Sequence, residues 1–279
     1  MSINDIISII IPCYNDAVYI EEAVQSAISQ TWGNKEIIVV DDGSNMETKR
    51  VLKELEPKID LLITQENKGL SAARNIGIEN AKGDFIVLLD SDDFFEPEFC
   101  EKALPIISED KSVKIVTCYA RRFNENGVID IFKPAGGDIK NFLGYNAAIG
   151  NSMIRKQDWG LVGKYDESMQ EGFEDWEFYI RLLKPGGYAY VLEEALFNYR
   201  QKKKSMRGSA NKIKYELQKY IYFKHQNLYK QYFEVFVEHL LGKIEREERE
   251  KIKHTQRLEF RLGKAFLNPL RRIKRILKW

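Results

Sequence analysis

Three aspartates, Asp90, Asp92 and Asp93, lie within four positions at the end of an apolar run, "FIVLLDSDDFFEP". Neighbouring carboxylates repel one another and are costly to desolvate, so a strand that ends in three of them calls for an explanation. Asp90 and Asp92, spaced i, i+2 around a turn, could bind a divalent cation together with phosphate oxygens, and the cation would offset the repulsion. A solvated acidic turn is the plainer alternative, and Asp93 reads as turn or helix cap. A second acidic pair, Asp41 and Asp42 in "DDGSN", could accept a hydrogen bond from a base or ribose, or could simply close a turn. In "NKGLSAARNIGI", Lys68 and Arg74 flank a helix start that suits an anion or an aromatic base; a surface helix with a small-residue packing face is the alternative. Glu174 and Asp175 open a helical pattern in "EGFEDWEFYIRL". Either one could serve as a general base, with Phe173 and Trp176 desolvating it or stacking on a sugar, although acids at a helix start are also ordinary dipole chemistry. Arg181 is spaced to pair with a carboxylate one or two turns back. The basic stretch "NYRQKKKSMRG" could neutralise a pyrophosphate leaving group, or remain a solvated loop.

Such groups have to be brought together by regular elements, and the first 120 residues supply a regular alternation. Short apolar strands at 7–12, 35–42, 59–65, 84–90 and 113–123 are separated by helical patterns at 17–30, 46–56, 70–81 and 97–107. Strands apolar along their whole length, separated by helices, predict an α/β fold with a mostly parallel sheet covered on both faces. In such sheets ligands bind beyond the carboxyl ends of the strands, where "PCYND", "DDGSN" and "DSDD" all fall. From 124 to about 200 the pattern loosens, with one helix expected at 173–184, and from 208 onward the chain reads as helical. Neither G-x-G-x-x-G nor G-x-x-x-x-G-K-[ST] occurs, so a dinucleotide fold and a P-loop are unsupported. A nucleotidyltransferase would normally carry a Gly-rich triphosphate loop near the first strand, and "IPCYNDAVY" is not one.

The net charge of +1 hides an asymmetry: residues 1–200 carry −13 and residues 201–279 carry +14. Three scattered cysteines give neither a disulfide framework nor a zinc spacing, and no apolar run reaches the roughly 18 residues of a membrane span. The opening residues lack a basic n-region and carry Asp5, so a first strand is expected there rather than a signal peptide, and a cytoplasmic protein overall. His225, His239 and His254 sit in the helical tail as surface or packing residues. The stretch "LNPLRRIKRILKW" has five Lys/Arg in thirteen residues with apolar residues at helical spacing. Residues 264–279 are therefore expected to meet an anionic membrane surface, with packing on protein as the alternative.

Taken in order, "ISIIIPCYND", "IIVVDDGS", "NKGLSAARNIGI", "FIVLLDSDD", the 153–182 block ending in Glu-Asp, and "YRQKKKSM" resemble the family 2 glycosyltransferases over about residues 7–207. The resemblance implies a GT-A fold, a Rossmann-like mixed and mostly parallel sheet flanked by helices, in residues 1–207. Residues 1–123 would form its nucleotide half and 124–207 its acceptor half, with a basic helical extension at 208–279. It implies an inverting, non-processive transferase moving a sugar from a UDP-linked donor to a cell-surface glycan or lipid-linked acceptor. Pro12, Tyr14, Asp41, Asp42, Arg74 and Ser91 would then bind the nucleotide. Asp90 and Asp92 would hold Mn2+ or Mg2+, and Arg200, Lys202, Lys203 and Lys204 would meet the diphosphate. Asp175, beside Glu174, would be the base, with Phe173 and Trp176 on the acceptor side. The Q-x-x-R-W signature of processive synthases is absent, and lysines stand where some members place a histidine in the basic loop. No nucleic-acid partner is expected, and the C-terminal helices are candidates for oligomer contacts. A catalytically silent nucleotide-sugar-binding protein is the non-enzyme alternative.

Overall fold

The computed structural model describes residues 5–202, 210, 212–257, 260, 262–264 and 266–267. Lys203, Lys204 and residues 268–279 lie outside these, so the expectations placed on them are not addressed by the fold. The chain forms two compact units, residues 1–230 and 231–279.

The first unit opens with the expected alternation. Strands β1 (Ile7–Cys13), β2 (Lys35–Asp42), β3 (Leu61–Gln65) and β4 (Phe85–Leu88) alternate with helices α1 (Ile20–Ile28), α2 (Met46–Leu55) and α3 (Leu70–Asn80). β1 pairs in parallel with both β2 and β4, and β2 with β3. β1 and β4 are buried along their whole length, and β2 along all but its first residue. That burial is why they read as continuous Ile/Val/Leu runs rather than alternating ones. Because the chain leaves β1 in one direction to β2 and β3 and returns on its other side as β4, a crevice opens beyond the strand ends.

The remainder is more strand-rich than the sequence suggests. After β5 (Phe94–Phe95) and α4 (Phe99–Glu109), the long β6 (Val113–Asn124) turns into the exposed β7 (Gly127–Phe132). Next come β8 (Met153–Arg155), α5 (Lys156–Leu161), α6 (Glu174–Leu183) and β9 (Tyr188–Arg200). The order is β3-β2-β1-β4-β8-β6-β9-β5, with β7 on β6. β8 joins the halves by pairing antiparallel to β4 and β6, while β6 and β9 run parallel. The outcome is the mixed, mostly parallel α/β sheet expected. β9 breaks the expectation of irregular structure: Glu193 and Glu194 are exposed and its register against β6 shifts, which hides a thirteen-residue strand.

Helices α7 (Lys214–Lys224) and α8 (Gln226–Gln231) follow. α7 is fastened to α6 by charge. Glu177 on α6, fully buried, accepts from Arg181 as the i, i+4 spacing predicts, and also from His225 and Lys224. Burial alone would raise this carboxyl; those three donors hold it down at about 2. The second unit is built on α9 (Phe233–Gln256), which buries no residue. Among the described residues no helix is long and apolar enough to cross a membrane.

Candidate active site

The crevice at the strand ends is lined by two cavities that share Leu70, Asp90 and Tyr199. The larger, about 630 Å³, is walled by Pro12, Tyr14, Asp42, Ser91, Asp92, Arg200 and Lys202. The smaller, about 380 Å³, is walled by Arg74, Phe173, Glu174, Asp175 and Trp176, with Tyr145, Asn146 and Gly150 opposite. Both fall in the size range of ligand sites. Asp41 lines neither; its Oδ1 accepts the Ser44 backbone N–H at 2.8 Å and closes the β2 turn.

Close packing brings the segments to this edge. Helix α3 lies on β1 and β2 through small residues: a Cβ on Gly77 would sit 2.4 Å from Ile10 Cγ2 and 3.2 Å from Val40 Cγ2. Gly43, at φ +74°, lets the β2 turn approach the backbone of Asn67, where a Cβ would come within 2.6 Å of the amide nitrogen. Asp42 then reaches across that approach. Its Oδ1 accepts from Gln65 and the Lys68 N–H, and its Oδ2 from the Gly69 N–H, fixing the loop that starts α3. One lone pair of Asp42 is left for a ligand in the larger cavity.

Arg74 holds the middle. Its guanidinium, 2% exposed, donates to Asp90 Oδ1 at 2.9 Å and to Glu174 Oε1 at 2.7 Å. It therefore joins the aspartate turn to the start of α6 across 100 residues of sequence, with both terminal nitrogens engaged there. The two carboxylates raise its proton affinity well above the ordinary guanidinium, against the opposing effect of burial.

In the aspartate turn, Asp92 Oδ2 is bound by Lys202 Nζ at 2.7 Å. The same ammonium bonds Asp16 Oδ1 at 3.0 Å, and Ser91 Oγ donates to Asp16 Oδ2 at 2.7 Å. Asp16 was not singled out from the sequence; it lay inside the noted "PCYND" loop but had no spacing partner. Burial, with Asp90 and Asp16 nearby, raises the Asp92 carboxyl against the pull of Lys202. Burial beside Asp92 and Asp90 pushes Asp93 well up, and Asp93 caps no helix. It accepts the Arg200 backbone N–H at 2.7 Å and pins the end of β9 to the turn. Arg200 is committed too: its guanidinium lies against the rings of Tyr19 and Phe123 and donates to the Asp92 carbonyl and to Glu22. Lys202 thus places its charge on the two acids of the crevice, Asp16 and Asp92.

Among the described residues no three His, Cys, Asp or Glu side chains converge as a closed metal site. Asp90 and Asp92 are an all-oxygen pair at the edge of an open cavity. That suits Mg2+ or Mn2+, which take one or two carboxylates and fill their other positions with phosphate oxygens and water.

On the far side, Gly172 and Phe173 take φ of +115° and +64° before α6 begins. A left-handed phenylalanine is uncommon, and this one sets the angle at which Glu174 and Asp175 enter the site. Asp175 is half-buried. Its Oδ1 accepts the Trp176 N–H at 2.7 Å and its Oδ2 accepts Asn146 Nδ2 at 2.9 Å. Burial, then the neighbouring Glu174, raise its carboxyl to about 7, against the lowering effect of Arg74. Trp176 is buried and gives its indole N–H to the Phe142 carbonyl, so it supports the wall and offers no stacking face. Phe173 packs edge-on against it.

The model of glycosyl transferase family 2 matches residues 8–176, which takes in β1 through the Glu-Asp pair. A curated relative, the putative teichuronic acid biosynthesis glycosyltransferase TuaG of Bacillus subtilis, is 31% identical over 219 residues, covering 75% of this chain and 83% of TuaG. The chain spans only about a third, 32% and 36%, of the length of two other curated glycosyltransferase relatives. Staphylococcus aureus TarS residues 1–349, solved with UDP-GlcNAc, superposes with a TM-score of 0.61 at 21% identity, over 73% of this chain and 61% of that one. The mannosyltransferase PcManGT of Pyrobaculum calidifontis, solved with GDP-Man and Mn2+, gives 0.58 at 19% identity, over 72% and 59%. These two likenesses establish a shared fold, and with the family match over more than half its length the chain belongs to glycosyl transferase family 2.

Proposed function

We propose that this protein transfers a glycosyl residue from a UDP-linked donor to a hydroxyl of a glycan or lipid-linked acceptor, with inversion at the anomeric carbon. One observation carries the reading: the two cavities meet at Asp90, with the aspartate turn facing one and Asp175 facing the other. The donor diphosphate lies in the larger cavity, and the acceptor hydroxyl enters the smaller one. Asp175 takes the hydroxyl proton as the oxygen attacks the anomeric carbon from the side opposite the nucleotide, and the bond to the diphosphate breaks. A carboxylate raised toward 7 by burial is a stronger base than a solvated one and is about half ionised at neutral pH. Asp90 and Asp92 would hold a divalent Mn2+ or Mg2+, which when bound supplies charge neutralisation at the leaving diphosphate. Lys202 adds a fixed positive charge on the same side. The UDP-GlcNAc bound by TarS supports the choice of a UDP-sugar.

The test is nucleotide release across a panel of UDP-, GDP- and dTDP-sugars, with Asp175→Asn and Asp92→Ala as controls. Both variants are expected to keep the wild-type unfolding midpoint and to lose at least about 10²-fold in turnover, the lower range for a general base. An Asp175→Asn enzyme as fast as wild type would remove the base assignment. A folded wild type that turns over no donor would favour a nucleotide-sugar-binding role.

A further inference from the structure

On the reading that Asp175 is the base, the geometry points to Asn146 as the residue that positions it. The Asn146 amide has no freedom to turn. Its Oδ1 accepts the Ala148 backbone N–H at 3.2 Å, and its Nδ2 donates to Asp175 Oδ2 at 2.9 Å. Flipping the amide would set oxygen against the carboxylate and N–H against N–H, so the surroundings fix which end faces Asp175. The other carboxylate oxygen is held by the N–H of the next residue, Trp176. Asp175 is therefore gripped from its own helix and from the loop before β8, and rotation about its side-chain bonds breaks one grip or the other.

Gly150, four residues beyond Asn146, completes the cradle. A Cβ there would lie 2.9 Å from Asp175 Oδ2, with the Asp175 side chain as its nearest neighbour. No side chain fits between the loop and the carboxylate, so the glycine keeps Oδ2 in reach of the Asn146 amide. The charged and titratable groups facing Asp175 are Glu174, Arg74, Asp90, Tyr165 and Tyr179. Apart from Arg74, each either opposes the carboxylate charge or is neutral. Asn146 supplies the one side-chain hydrogen bond to Asp175 among the described residues, and it favours the ionised form.

The test compares Asn146→Ala, Gly150→Ala and Asp175→Asn as full-length proteins, measuring kcat, UDP affinity and the pH profile of kcat/KM. Asn146→Ala is expected to lower kcat about tenfold to a hundredfold, the scale of a misplaced reacting group, with UDP affinity within about twofold of wild type. Its acidic limb should move upward by about one pH unit, because the lost N–H favoured the ionised carboxylate. Gly150→Ala, which crowds Oδ2 while leaving the Asn146 side chain in place, should lose kcat on the same scale. An Asn146→Ala enzyme with wild-type kcat and an unmoved limb overturns the proposal, as does one in which kcat falls but the limb stays. A fully active Asp175→Asn enzyme removes the base itself and the proposal with it; full activity of Asn146→Ala alone leaves the base standing.

Discussion

Replacing Arg74 with methionine is the most searching perturbation of this site. The guanidinium is buried and answers two carboxylates, of which Glu174 has a side chain only 7% exposed and Asp90 one that is 28% exposed. Solvent can relieve Asp90 but not Glu174, so the cost falls mainly on the latter. Breaking a buried ion pair by removing one partner costs about 3–5 kcal/mol. At roughly 2–4 °C per kcal/mol for a unit of this size, the melting temperature should fall by about 10 °C. Urea unfolding of Arg74→Met, Glu174→Gln and the double variant measures this directly. The double variant should recover about 2 kcal/mol relative to the sum of the singles, since removing the acid removes the uncompensated charge. Activity should respond as well: Arg74 lowers the Asp175 carboxyl, so its loss moves the acidic limb above the wild-type position near 7. Strict additivity, or a single variant within about 0.5 kcal/mol of wild type, the range of an ordinary surface substitution, would refute the buried-clamp account.

Other outcomes follow from neighbouring contacts. In wild type, kcat/KM should fall tenfold per pH unit below about 7 and level off above it, because Asp175 acts only when ionised and its carboxyl is raised to about 7. Lys202 sits on the Asp16–Asp92 pair as a resident cation, so Lys202→Met should bind Mn2+ about tenfold more tightly than wild type in the absence of nucleotide; that factor corresponds to about 1.4 kcal/mol of relieved competition. Calorimetric titration with Mn2+ decides it, and an unchanged affinity would count against competition. Gly77→Ala should destabilise by about 1–3 kcal/mol through overpacking against Ile10, read from the unfolding midpoint.

The parallel half of the fold is legible because its physics is local. Its central strands β1, β2 and β4 are buried on both faces, and β1 and β2 are each followed by an amphipathic helix, so β2 is expected at 35–42 and found at Lys35–Asp42. The remainder is less legible, because its strands are short or exposed, or pair with partners far away in sequence. β7 is exposed throughout, β5 has two residues, and β8 has three. The site divides the same way. Charged residues clustered at strand and helix ends stand out by type and spacing, and nearly all of them line one of the two cavities. Their supports do not stand out. Asn146 reaches Asp175 over 29 residues and Asp16 reaches Ser91 over 75, with no periodicity to betray either. Arg74 is visible as a cation, but its two acidic partners are supplied only by the fold.

The charge cluster under α6 bears on how this chain can be cut and recombined. The family match ends at residue 176. Yet Lys224 and His225, well past that point, bond a carboxylate buried one helical turn from the Glu-Asp pair. A fragment ended before α7 would leave Glu177 with Arg181 alone, directly beneath the Glu-Asp pair at the start of α6. A shuffled or truncated enzyme should therefore carry its own residues 214–230, and new C-terminal modules are best joined after Lys230.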